Sequence, residues 1–169
     1  MLPIRTDRLI IDRLSLADAP YVFELVNDPD FIRFIGDKQV KSVKDAEQYL
    51  TQGALKSYDT FGFGMFRVRR LSDELPVGIC GLIKRDYLPS VDLGYAFMAD
   101  HRNHGYAAES CRAVLDFGIN TLKLSKIAAI VQPDNTRSID LLAKIGFRFN
   151  DMIQPPGDPA RLELWSVTP

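Results

Sequence analysis

The amino-acid sequence predicts a mixed α/β fold of the α+β kind, a mixed sheet with helices on both faces, in one domain over residues 1–169. Three observations predict it. Antiparallel-type strand patterns come first, the second half reads strand, helix, strand, helix, strand, and no linker, repeat or low-complexity tract interrupts the 169 residues. A chain of this length buries roughly 68–70% of the surface it exposes when unfolded, enough for a sizeable core.

Residues 8–14, apolar at Leu9, Ile10 and Ile11, form a first strand. Ser15 or Asp18 then caps a helix through Tyr21, Val22, Leu25 and Val26, which stops around Asn27-Asp28-Pro29 because a proline pushes its predecessor out of helical geometry. Residues 31–36 are aromatic and apolar and end in glycine: a short helix, or a loop packed on the core. Ser42, with Asp45 three residues on, starts a second helix that runs to Tyr58. Residues 61–68 alternate large and small, residues 71–76 are a polar turn, and residues 77–83 are apolar, which makes an antiparallel hairpin.

The stretch around residues 91–110 organises the rest. On the next strand Val91, Leu93, Tyr95 and Phe97 share one face, and Asp92, Gly94, Ala96 and Met98 share the other. Beyond it, Ala108, Cys111, Leu115, Gly118, Ile119 and Leu122 recur at helical spacing as one buried stripe. Between strand and helix lies a turn whose first helical residues are small: Gly105, Ala107, Ala108 and Ser110. A ligand can approach that backbone closely, and the unpaired amides of a first helical turn favour an anion, best a phosphate or pyrophosphate. Arg102 and His104 offer side-chain donors. Residues 126–131 form a buried strand and residues 133–136 a turn into a helix with Ile139, Leu142 and Ala143 inside. Gly146 caps that helix with Phe147 beside it, and residues 161–167 alternate as a last strand.

Composition narrows the function. A net charge of -1 provides no global field for nucleic acid or acidic membranes. The N-terminus lacks the pattern of a signal peptide and no apolar run approaches the ~18 residues of a spanning helix, so the expected location is the cytoplasm. Cys80 and Cys111 read as buried free thiols. The two histidines, His101 and His104, are too few for a His-rich metal site, so no metal is expected.

Residues 102–107, Arg-Asn-His-Gly-Tyr-Ala, resemble the Arg/Gln-x-x-Gly-x-Gly/Ala signature of the GNAT N-acetyltransferases. Asn135, Thr136, Arg137 and Ser138, followed by Leu142, Ala143, Lys144, Ile145, Gly146 and Phe147, are similar to that family's next block, in the same order and spacing. The opening Thr6, Asp7, Arg8, Leu9 and the later Asn27, Asp28, Pro29 resemble the branch containing ribosomal-protein N-terminal acetyltransferases, so the likeness spans the whole chain.

This resemblance implies a mostly antiparallel sheet splayed in a V, with acetyl-CoA in the opening. It implies that amides of Phe97 and Met98 pair with the pantetheine arm, and that Arg102, Asn103, His104, Gly105, Tyr106 and Ala107 hold the pyrophosphate. Asn135 would bond the pantetheine, cap its own helix, or do both. Ser138 matches the serine that protonates the leaving thiolate in part of this branch; its other reading is a solvated first-turn serine. Asp92 stands where relatives carry a glutamate base, and it would act directly, through water, or only as an edge carboxylate paired with a lysine or arginine. Phe31, Phe34 and Tyr87 are candidates for the acceptor entrance. The implied partner is an amine, a protein N-terminus or a small molecule, with a homodimer as a further arrangement. Two other readings stand beside it: an acyl-CoA-binding regulatory protein without chemistry, and a different nucleotide-phosphate binder, which the lack of a P-loop lysine disfavours.

Overall fold

A computed structural model describes residues 2–169. Its strands are β1 (Ile4–Arg5), β2 (Leu9–Arg13), β3 (Met65–Arg70), β4 (Pro76–Ile83), β5 (Val91–Phe97), β6 (Ile127–Val131), β7 (Arg148–Ile153) and β8 (Leu162–Val167). Together they make one sheet in the order β1-β2-β3-β4-β5-β6-β8-β7. Every neighbouring pair is antiparallel except β5 and β6, which are parallel. The mixed fold read from the sequence is the fold observed. Two strands escaped that reading. β1 is only two residues long, and β7 is an edge strand whose first four residues are exposed, so no alternation of burial marks it.

The helices are α1 (Ala19–Val26), α2 (Pro29–Phe34), α3 (Val43–Leu50), α4 (Lys56–Phe61), α5 (Tyr106–Asp116) and α6 (Thr136–Lys144). Burial divides between the two faces of the sheet. On one, Val22, Leu25, Val26, Ala46 and Leu50 of α1 and α3 close over Ile79, with Phe31 of α2 beside them. On the other, Cys111, Val114 and Leu115 of α5 close over Cys80, Leu82, Leu93 and Phe97. Phe66 of β3 sits fully buried in this second core, stacked on Tyr58 at 5.7 Å and edge-on to Phe117 at 6.0 Å. Truncating such a residue to alanine costs about 3–5 kcal/mol. The thiols of Cys80 and Cys111 are buried and free, 3.7 Å apart.

The single helix expected over residues 42–58 is α3 and α4 joined by a wide π-type turn, Thr51–Leu55. Ser42 caps it by accepting the Asp45 amide at 3.1 Å, while the Asp45 carboxylate reaches back to the Lys41 amide at 2.9 Å. The helix also runs further than expected, to Phe61. Gly62 ends it in the left-handed region at φ +79°, where glycine alone carries no side-chain penalty, and the strand expected from residue 61 begins at Met65.

Candidate active site

β5 and β6 pair over two residues only, Val91 with Ile127 and Asp92 with Ala128. β4 stays paired with β5 as far as Phe97, and β8 stays paired with β6 as far as Val131. The two parallel strands therefore part company after Asp92 and open a V. The Met98 amide donates to the Val77 carbonyl at 3.1 Å, so backbone alternation turns the amides of Tyr95 and Phe97 away from β4, toward the opening. The Met98 amide itself is committed to β4.

At the wide end of the V the chain turns into α5. Asn103 and Gly105 both take positive φ, +63° and +79°, and Gly105 occupies the position before the first helical residue. The amides that follow, in the first turn of α5, have no partner within the helix. A Cβ on Gly105 would lie 3.2 Å from an Arg8 guanidinium nitrogen. Arg8 braces the turn from outside, donating to the His104 carbonyl at 2.9 Å and to the Glu109 carboxylate at 2.7 Å. Thr6 donates to the same carboxylate at 2.6 Å. Burial alone would raise the Glu109 pKa, but the hydrogen bonds from Thr6 and Arg8 outweigh it and hold it below the ordinary value. Glu109, in the first turn of α5, thus anchors the N-terminal segment.

Arg102 faces inward. Its Nε donates to the Phe97 carbonyl at 3.0 Å, and its terminal nitrogens reach Asp30 at 2.7 Å and Asp28 at 2.5 Å. Arg137 also reaches Asp30, at 3.2 Å, and Arg33 pairs with Asp134 at 3.0 Å. Helix α2, which carries Phe31 and Phe34, is thereby tied to both the turn before α5 and the start of α6.

The other wall of the V ends in α6. Asn135 is its cap and accepts the Ser138 amide at 3.3 Å. The Ser138 hydroxyl meets the Tyr95 hydroxyl at 2.5 Å. Burial raises the Tyr95 pKa well above the ordinary tyrosine value, and Cys111 adds to the rise. The alternation puts Tyr95 on one face with Val91, Leu93 and Phe97, and its meeting with Ser138, 43 residues away, has no sequence signal.

Asp92 lies at the apex of the V and is 1% exposed. Arg85 holds it through Nε alone, 3.0 and 3.1 Å from the two carboxylate oxygens. Burial raises the Asp92 pKa, and the Arg85 charge opposes that rise without cancelling it. Asp92 and Tyr95 project from opposite faces of β5: Asp92 toward the side of α1 and α2, Tyr95 toward α5. One cleft of about 1070 Å³ joins both sides. Phe31, Phe34, Tyr87, Asp92, Phe97, Arg102, Asn103, Gly105, Tyr106, Ala107, Asn135 and Ser138 all line it, and Met98 and His104 do not. His104 instead stacks on Tyr106 at 5.6 Å. Among the described residues no group of His, Cys, Asp and Glu is arranged to hold a metal, and no helix is long and apolar enough to cross a membrane.

Residues 8–148 match the family model of the acetyltransferase (GNAT) domain. The chain belongs to the GNAT family of acetyltransferases. The Bacillus subtilis protein YoaA, described as an uncharacterized N-acetyltransferase, is 30% identical to it over 174 aligned positions, covering 99% of this chain and 97% of that protein. The crystal structure of a GNAT-family acetyltransferase from Bacillus anthracis superposes with a TM-score of 0.81 at 25% identity, covering 98% and 97% of the two chains. RimL, a ribosomal-protein α-N-acetyltransferase in complex with coenzyme A, shares the fold with a TM-score of 0.83 at 13% identity over 99% and 97%. The protein is therefore an acetyltransferase enzyme of the class that acylates amines.

Proposed function

We propose that the chain transfers the acetyl group of acetyl-CoA directly to a primary amine, on a protein N-terminus or a small molecule. The observation that carries this reading is the parting of β5 and β6 after Asp92, which leaves a slot between two strands with the Gly105 turn at its wide end. The residues present fit the group: amides turned into the V suit the amide-rich pantetheine, and the exposed first-turn amides of residues 103–107 suit a pyrophosphate. Bound acetyl-CoA supplies an activated thioester.

The chain's own residues would do the rest. The Phe97 amide aligns the pantetheine while Arg102 fixes the Phe97 carbonyl from behind. Asn135 caps α6 and so positions Ser138. Tyr95 and Ser138 together hold two hydroxyl protons and spend one on their mutual bond, so one remains for the departing thiolate. Asp92, with its proton affinity raised by burial, takes the amine proton, directly or through a water. Its ion pair with Arg85 leaves one Asp92 lone pair per oxygen for that task.

Calorimetry with acetyl-CoA, followed by thiol release over a panel of amines and peptides, tests the reading. Micromolar binding with amine-dependent thiol release is the expected result. Binding without release for any amine would favour the non-catalytic acyl-CoA-binding alternative.

A further inference from the structure

Two cations, Arg85 and Lys38, line the acceptor side of the cleft. Arg85 holds Asp92 through its Nε, its terminal nitrogens make no hydrogen bond to a carboxylate, and it lines the cleft beside the Tyr87 side chain. Lys38 reaches the same space from the loop between α2 and α3. No carboxylate lies within ion-pair distance of the Lys38 ammonium, although eleven such pairs occur among the described residues. Of the carboxylates that line the cleft, Asp92 pairs with Arg85, and Asp158 accepts the Ala160 amide of its own loop at 2.9 Å. Burial lowers the Lys38 pKa and the Arg85 charge lowers it further, while the Asp158 charge opposes them. Phe31, Phe34 and Tyr49 give the same space apolar walls.

A guanidinium fork with an ammonium near it is suited to a planar or tetrahedral oxyanion, since the fork donates two parallel hydrogen bonds and the ammonium adds charge. We propose that Lys38 and the terminal nitrogens of Arg85 form a subsite for a carboxylate or phosphate carried by the acceptor, which makes the acceptor an amine with an anionic group a few bonds from its nitrogen. The inference rests on the acetyltransferase reading, because it sets that anion beside Asp92, where the amine is to lose its proton. It disfavours polyamines, whose second ammonium would meet Lys38 and Arg85.

Binding to the CoA-loaded protein decides the matter. Calorimetry would compare glycyl-glutamate, glycyl-glutamine and glycyl-lysine, each as the amide, with phosphoethanolamine, and thiol release would be recorded on the same samples with acetyl-CoA. The expected result is that glycyl-glutamate or phosphoethanolamine, whichever matches the spacing, binds at least about ten-fold more tightly than glycyl-glutamine, as a charge-assisted hydrogen bond predicts. Lys38→Gln should shrink that ratio toward one, and Lys38→Glu should reverse it in favour of glycyl-lysine. Equal affinity for all four probes, or a preference untouched by both Lys38 variants, would overturn the subsite. A tightly bound acidic amine that releases no thiol would uphold the subsite and count against acetyl transfer, so the two failures are separable.

Discussion

The hydroxyl of Tyr95 on β5 meets the hydroxyl of Ser138 on α6 at 2.5 Å, joining the two walls of the V beyond their last shared strand pair. Removing the Tyr95 hydroxyl while keeping the ring isolates its chemical role from its packing. Tyr95→Phe should lower kcat about 10-fold or more, within the range of a proton-transfer contribution, and leave the KM for acetyl-CoA nearly unchanged. Ser138→Ala should do the same, and the double variant should be scarcely worse than either, because the two act as one proton source. Steady-state kinetics on the three variants checks this; a rise in the KM for acetyl-CoA alongside the fall in kcat would instead mark a packing role.

Gly105, in the turn proposed to hold the pyrophosphate, has the positive φ of +79° that strains any other residue. Gly105→Val forces a branched residue into the left-handed region at φ +79° and brings its Cβ to 3.2 Å from Arg8. The strain is about 1–2 kcal/mol, and displacing even one amide from a phosphate should weaken CoA binding about ten- to hundred-fold. Calorimetry with CoA measures the loss, and unchanged affinity would remove residues 103–107 from the pyrophosphate site.

Glu109 makes the N-terminal anchor dependent on pH. Its pKa is lower in the folded protein than its ordinary value of 4.5, so its contribution is fully present above that value and disappears as pH falls through the folded pKa. Glu109→Gln should therefore destabilise the protein by about 1–2 kcal/mol at neutral pH. The difference between variant and parent should vanish in acid below the ordinary value. Denaturation curves taken across pH 3–7, roughly the range over which carboxylates titrate, check both sign and window.

Arg102 links the turn before α5 to α2 through Asp28 and Asp30, with its own side chain 20% exposed and that of Asp28 10% exposed. Arg102→Gln leaves a nearly buried carboxylate without its partner, a loss of about 2–3 kcal/mol, somewhat less than for a fully buried pair. The predicted signature is a lower midpoint in chemical denaturation together with faster hydrogen exchange in α2. An α2 that exchanges as slowly as before would show that the tie is not what holds it.

Asp92 predicts an acid limb in the kinetics. Burial raises its pKa above 3.8, so the basic form is lost at a higher pH than for an exposed aspartate as the solution is acidified. Asp92→Asn should reduce kcat/KM at least about 100-fold if the carboxylate takes the amine proton. Activity within a few-fold of the parent would return Asp92 to the role of an ion-pair partner for Arg85.

Local information determined much of this protein. Alternation at residues 91–98, the helical stripe from Ala108 to Leu122 and the small residues around Gly105 specify strand, helix and an amide-lined turn, because each depends on neighbours within a few positions. The blocks at residues 102–107 and 135–147 carried the family. Tertiary structure alone decided which groups remain available. Sequence spacing contains no record that the Met98 amide goes to Val77, that Arg102 turns inward to Asp28 and Asp30, or that Tyr95 meets Ser138, since each partner arrives from a distant element. The same holds for Asp92: its strand face was legible, while its burial, its grip on Arg85 through one nitrogen and the unpaired Lys38 nearby arise only when the sheet, α2 and the following loop close over the apex of the V.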